Sequence, residues 1–335
     1  MTITMPDWCR RARVAAVAAV CAALLLSRGG GLAPLKAAAP QAATAPSKSL
    51  EILEVRPSFY MIAAASANIG VQVGEDGVVV VDPGSAADAP NVLAAIKSIS
   101  PKPIRYIIDT GPDPDHVGGN QALSEAGEKL FPGGRNPGDS VTPIVSVEGV
   151  LRHMTNKFPE AALPTELFHY SRKYMYLNGE AIEVLSQPAA HTDADAVVFF
   201  RRSDVVVAGD VLDTRQFPVI DIARGGSIRG EIAALNRLVD LAVPSVPLIT
   251  REAGTIVVPG HGRLCDQYDV VEYRDMVTVI RDRVADLIKA GRSLAEVKAA
   301  QPAKGYVGRY GNAGGAWTEA QFIEAVYQSL VREKP

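Results

Sequence analysis

A chain of 335 residues, 47% apolar and 21% charged, is long enough to bury one large core or two medium ones and too apolar for wholesale disorder. A formal net charge of −3 without Lys/Arg blocks excludes the electrostatic footprint of a nucleic-acid binder. The five His and three Cys take their meaning from position, because the first segment does not read like the rest.

Arg10, Arg11 and Arg13 precede thirteen residues of Ala, Val, Leu and Cys at 14–26, followed by Ser27-Arg28-Gly29-Gly30-Gly31. This is the charged and then apolar pattern of a secretory signal. The apolar run falls short of the roughly 20 residues of a membrane span, so a signal is favoured over an uncleaved anchor. Ala37-Ala38-Ala39 and Ala43-Thr44-Ala45 have the small-x-small form, yet a Pro follows each, which leaves the cleavage position open. Setting residues 1–45 aside as signal peptide and linker leaves 29 basic against 36 acidic side chains, a body at −7. Cys9 and Cys21 leave with the leader. Cys265 has no internal partner, so an exported product, periplasmic or secreted, relies on its core or on a metal.

The body opens with short β-rich runs at 50–55, 59–64, 68–73 and 78–81, and Gly74-Glu75-Asp76-Gly77 is a hairpin signal between the last two. Asp82-Pro83-Gly84 stops the fourth strand. A helix at 90–99, a buried strand at 104–108 and a short helix at 121–127 follow. Strands are expected at 144–147, 174–177, 182–185, 196–200 and 205–208, a helix at 227–241 and a last strand at 256–258. Strands interleaved with helices define a layered α/β protein with mixed sheets. Beyond Gly262 the periodicity is helical: 270–290 carries an apolar stripe, and Ser293-x-x-Glu296 and Thr318-x-x-Gln321 are capping-box starts. Residues 266–335 are therefore expected as a C-terminal helical extension packed on the body.

Five motifs fall where an apolar strand gives way to a turn: Val80-Val81-Asp82-Pro83-Gly84; Asp109-Thr110-Gly111-Pro112-Asp113-Pro114-Asp115-His116-Val117-Gly118-Gly119-Asn120; His191-Thr192-Asp193; Ala208-Gly209-Asp210; and Val258-Pro259-Gly260-His261-Gly262. Polar ligands at strand ends are what a metal site needs, because a rigid sheet holds several loops facing one cleft. The ordered set resembles the metallo-β-lactamase fold superfamily, which includes zinc β-lactamases, glyoxalase II and lactonases, over residues 50–265. The resemblance implies a four-layer αβ/βα sandwich of two mixed β-sheets, with a hydrolase domain at 46–265. It also implies that Asp115 and His116 end the metal loop, that His191 matches the third motif, that Asp210 is the bridging carboxylate and that His261 is the last ligand. The sequence departs from the family at Gly111 and Asp113, which stand where the loop has its two earlier His residues.

Glycine brings no ligand. Asp113 still brings one, and an extended backbone between Pro112 and Pro114 is expected to project it on the same side as Asp115. By the resemblance, one metal keeps Asp115, His116, Asp210 and His261, and a second has Asp113, His191 and the shared Asp210, with a position open for water. Three carboxylates are left at −1 by one divalent ion and carried to +1 by two. One tight and one weak ion are the expectation, with a carboxylate-rich set admitting Fe or Mn beside Zn. The chemistry implied is hydrolysis of an ester, lactone, thioester or amide (lactam) bond of a small molecule by metal-activated water, with Asp113 or Asp115 managing the proton.

Blander readings stand beside these. Asp115 alone reads as a helix N-cap, and Asp82 as a turn residue or an orienting group behind the ligands. Asp193 reads as a support for His191 or a turn cap. His153 and His169 are expected at the surface, and Cys265 lies away from the bridging position. The rival for the whole chain is a metal-poor, non-catalytic binding protein on the same scaffold. Substrate-contacting loops are expected at 63–68, 131–140 and 211–227; the sequence carries no signal for oligomeric state.

Overall fold

The computed structural model describes residues 50–63, 66–130, 141–246, 254–311 and 315–332. The expected leader, the expected substrate-contacting segment 131–140 and part of that at 63–68 lie outside the described residues. The first sheet contains β1 (Glu51–Arg56), β2 (Phe59–Ala63), β3 (Asn68–Gly74), β4 (Gly77–Val81), β5 (Ile104–Ile108), β6 (Ile144–Val147) and β7 (Glu166–Phe168), in that spatial order. Its first four strands pair antiparallel and the rest parallel. The uninterrupted valines of β4 are buried along the whole strand at the centre of this sheet, as a strand covered on both faces requires. Gly74 pairs with Gly77 across the expected two-residue hairpin turn.

The second sheet contains β8 (Arg172–Leu177), β9 (Glu180–Gln187), β10 (Asp195–Phe200), β11 (Val205–Asp213) and β12 (Ile256–His261), in the order β12-β11-β10-β9-β8. Only β11 and β12 run parallel there. The sheets face each other across a core that includes Phe59, Val79, Val81, Val198, Phe200 and Val207, and Phe59 meets Phe200 edge-on with ring centroids 4.8 Å apart. On the outer face of the first sheet lie α1 (Ala89–Ile99) and α3 (Asn120–Ala126), whose Val92, Ile96 and Leu123 pack with Val78, Val80 and Ile107. The outer face of the second sheet is covered by α5 (Ile228–Leu241), α6 (Gln267–Lys289) and α9 (Glu319–Arg332), through side chains that include Leu235, Tyr273 and Phe322. These are four layers, αβ/βα: the metallo-β-lactamase arrangement of two mixed sheets with a helical C-terminal region. Among the described residues no helix is long and apolar enough to cross a membrane.

The differences from expectation are local. The chain also forms α4 (Glu148–Met154) and β7, too short for periodicity to register. α6 starts three residues before the expected helix because Asp266 and Asp269 cap it reciprocally. The boxes of Ser293 with Glu296 and of Thr318 with Gln321 form as expected.

The C-terminal region is tied to the segment between β11 and α5. Phe322 of α9 stacks on Phe217, with centroids 5.0 Å apart. The Ser329 hydroxyl accepts the buried Ile228 N–H at the start of α5, at 3.0 Å. Phe322→Ala is therefore expected to cost about 3–5 kcal/mol in denaturant unfolding; a loss below about 1 kcal/mol would show that α9 is not part of the cooperative core.

Candidate metal centre

Each polar residue of the site stands where a strand ends or bends. In β11 the ladder to β12 slips between Val207 and Gly209, and Gly209 adopts φ +53. A Cβ there would lie 2.2 Å from the Thr110 hydroxyl, so only glycine fits. The bulge brings the next residue, Asp210, to the cleft. His261 is the last residue of β12. Asp115 and His116 belong to the single turn α2 (Pro114–Val117), with Asp113 at its extended N-cap position. His191 lies between β9 and β10.

Asp113 and Asp115 line the same cleft but face different imidazoles. Pro114 begins a helical turn, for which its fixed φ is suited, so the extended stretch ends at Asp113. Asp115 Oδ2 lies 3.3 Å from His261 Nε2, whereas Asp113 Oδ2 lies 2.7 Å from His191 Nε2.

The first cluster is Asp115, His116 and His261, whose ligand atoms gather within 4.8 Å. Asp82, fully buried at φ +57, accepts the Thr110 N–H at 2.8 Å and the Thr110 hydroxyl at 2.6 Å. Its Oδ2 is also 2.9 Å from His116 Nδ1. An ionised carboxylate only accepts, so Nδ1 carries a proton toward Asp82 and the ring presents Nε2 to the cleft. That Nε2 is buried and has no hydrogen-bond partner among the described residues. It stands 3.2 Å from Asp210 Oδ1, and His261 Nε2 stands 3.3 Å from the same oxygen. These donors fit a divalent cation: two imidazoles and two carboxylates converge, and the buried orphan nitrogen is the atom a metal ion would satisfy.

The second cluster is Asp113, His191 and Asp210. His191 Nδ1 donates to the Val219 carbonyl at 2.8 Å, which turns Nε2 toward Asp113 and, at 3.8 Å, toward Asp210 Oδ2. Asp210 thus divides its two oxygens between the clusters. Sequence reasoning missed a fourth participant, Arg224. Its Nη1 donates to Asp113 Oδ1 at 2.6 Å, its Nε donates to Asp221 at 2.6 Å, and its Nη2 lies 3.4 Å from His191 Nε2. The sole local signal was the Asp221-x-x-Arg224-Gly225 turn.

Asp193 requires a correction. It neither supports His191 nor caps the turn, but meets Arg152 and His153. Asp195 takes the capping part, accepting both the N–H and the hydroxyl of Thr192. The turn closes on Asp195, so Asp193 emerges on its outer side. His169 is exposed beside Glu148, and His153 is only partly exposed. Burial pushes the Cys265 thiol up to about 12, which keeps it unreactive.

A cleft of about 380 Å³ opens above the two clusters and is bounded by Arg215, Gln216 and Val219. A larger hollow of about 840 Å³, beside Arg56, Gln72 and Asp204, lies at the opposite strand ends and contains neither cluster.

Charge is tightly balanced in the metal-free protein. Burial alone would lower the imidazoles, but Asp113 and Asp210 push His191 up to about 10, and Asp115 and Asp210 push His261 up to about 9. Burial alone would raise Asp210, yet His116 and the other imidazoles hold it well below the ordinary range. Burial lifts Asp195 to about 7.

Comparisons with known proteins agree with this architecture. Residues 63–130 match the family model of the metallo-beta-lactamase superfamily. A double mutant of the sec-alkyl sulfatase PisA1 superposes with a TM-score of 0.61 at 14% identity, covering 85% of this chain and 51% of that one. The stereoselective inverting sec-alkylsulfatase Pisa1 from Pseudomonas sp. gives 0.59 at 14% identity over 83% and 50%. This chain spans about half the length of those sulfatases. A metallo-beta-lactamase from Pontibacter korlensis gives 0.53 at 18% identity, over 68% of this chain and 99% of its own. No curated protein matches the sequence. At these identities the likeness is one of fold.

Two outcomes are expected. Asp82→Ala removes no ligand but frees His116, and should weaken divalent-metal affinity by about 10–100-fold in competition with a chromophoric chelator. His191 and His261 hold raised pKa values, so the folded metal-free chain binds more protons than the unfolded one from about pH 6.5 to about 10. Its stability should be fullest below that window and fall as pH rises through it. Thermal melts in chelator that strengthened between pH 7 and 10 would contradict this.

Proposed function

We propose that this chain is a metal-dependent hydrolase that cleaves an ester, lactone, thioester or amide (lactam) bond of a small molecule. The observation that carries the reading is the meeting of His116 Nε2, His261 Nε2 and Asp210 Oδ1 at 3.2–3.3 Å, with Asp82 fixing the tautomer from behind. Zn, Fe and Mn all suit such a nitrogen and oxygen set. A divalent ion held there lowers the pKa of water toward neutrality and polarises the oxygen of the scissile group.

The residues around it divide the remaining work. Asp115 sits at the cleft edge with its side chain 36% exposed, Oδ2 facing His261, and is placed to move a proton between water and the leaving group. Asp113 is poorly suited to that part, since His191 holds one oxygen and Arg224 the other. Arg215, locked by a two-pronged pair with Asp213, presents positive charge at the cleft. The second reading, a metal-poor binding protein on this scaffold, draws on Gly111 and on the engagement of Asp113 by Arg224. The leader supports export of the mature protein to the periplasm or beyond.

The test is turnover of chromogenic lactam, lactone, thioester, carboxylate-ester and sulfate-ester substrates by protein purified without chelator. Asp210→Ala and His261→Ala should each lower kcat/KM beyond the roughly 10–100-fold typical of losing a group behind a ligand. Unchanged turnover in either variant, or purified protein free of transition metal, refutes the hydrolase and favours the binding protein.

A further inference from the structure

We propose that Arg224 is the resident cation of the second cluster: its guanidinium closes the Asp113–His191 position, so that the chain holds one divalent ion rather than two. The inference rests on the metal-hydrolase reading above and specifies how its metal complement is set. The guanidinium occupies the place a second ion would need, beside Asp113 Oδ1 and His191 Nε2. Arg224 Nη1 is bonded to Asp113 Oδ1 at 2.6 Å, and Nη2 lies 3.4 Å from His191 Nε2.

Arg224 is not a surface side chain that happens to fall there. Its third nitrogen is fixed by Asp221, whose carboxylate also accepts the Ala223 and Arg224 N–H groups. The turn that carries it is laced to the His191 segment on both sides: Asp221 N–H donates to the His191 carbonyl, and Asp193 N–H to the Arg224 carbonyl, each at 2.9 Å. Gly225, at φ +85, ends the turn where a Cβ would lie 2.9 Å from Asp193 Cβ. A guanidinium held at two nitrogens, by Asp113 and Asp221, is preorganised, with little side-chain freedom left to lose.

The experiment is a metal titration of the full chain, stripped with chelator and reloaded with Co(II) or Zn(II). Bound metal is counted by mass spectrometry after gel filtration, and Co(II) is followed by its absorption bands. Wild type is expected to bind one ion per chain, and Arg224→Met two, the second at least tenfold tighter than any second uptake by wild type. Asp221→Asn, which loosens the tether and keeps the guanidinium, should shift second-ion affinity the same way by less, and with the wild-type count it decides the matter if Arg224→Met does not fold. His261→Ala should lose the first ion. Two ions of similar affinity in wild type, or a single ion in Arg224→Met, overturn the role of Arg224 and leave the hydrolase standing. No bound ion in any variant overturns the hydrolase reading and this inference with it.

Discussion

Asp210 is the point through which the cleft is organised, because its two oxygens divide between two groups of side chains. Oδ1 faces His116 and His261 at 3.2 and 3.3 Å, and Oδ2 faces His191 at 3.8 Å. A partly buried carboxylate so placed is costly unless positive charge surrounds it. The imidazoles, Arg224 and the cation that the first cluster fits answer that demand. The bulge at Gly209 is what brings the carboxylate to that meeting place, so a backbone irregularity in one strand sets the electrostatics of the whole site.

What the sequence made legible is what depends on neighbours along the chain. The valines of β4, the hairpin at 74–77 and the two capping boxes are local patterns with local physical causes, and the structure forms them. The ordered motifs marked the strand ends from which Asp115, His116, Asp210 and His261 meet. What stayed hidden depends on distant pairs or on turn geometry. Arg224 meets Asp113 across 111 positions of sequence, and nothing near either residue announces the other. Asp193 and Asp195 are two positions apart in one turn, and only the closure of that turn on Thr192 decides which faces inward. The facing of Asp113 and Asp115 to different imidazoles turned on a choice local propensity leaves open, whether Pro114 continues an extended stretch or opens a helix.

The C-terminal helices also bear on the cleft, although none of their side chains reaches either cluster. Phe322 stacks on Phe217, and Ser329 accepts the first N–H of α5. Phe217 belongs to the same connection as Val219, which fixes the His191 ring, and as Asp221, which fixes Arg224. The connection that carries the supports of the second cluster is therefore itself packed on the outer face of the second sheet.

Thr110 adds a mechanical consequence. It binds Asp82 through both its N–H and its hydroxyl, its carbonyl accepts the Ala196 N–H of β10 at 2.7 Å, and its hydroxyl fills the space that a side chain at residue 209 would need. One threonine thus touches the support of His116 in the first sheet and the bulge that aims Asp210 in the second. The spacing between ligands from opposite halves of the sandwich is gauged by that residue, like two arms of a caliper sharing a pivot.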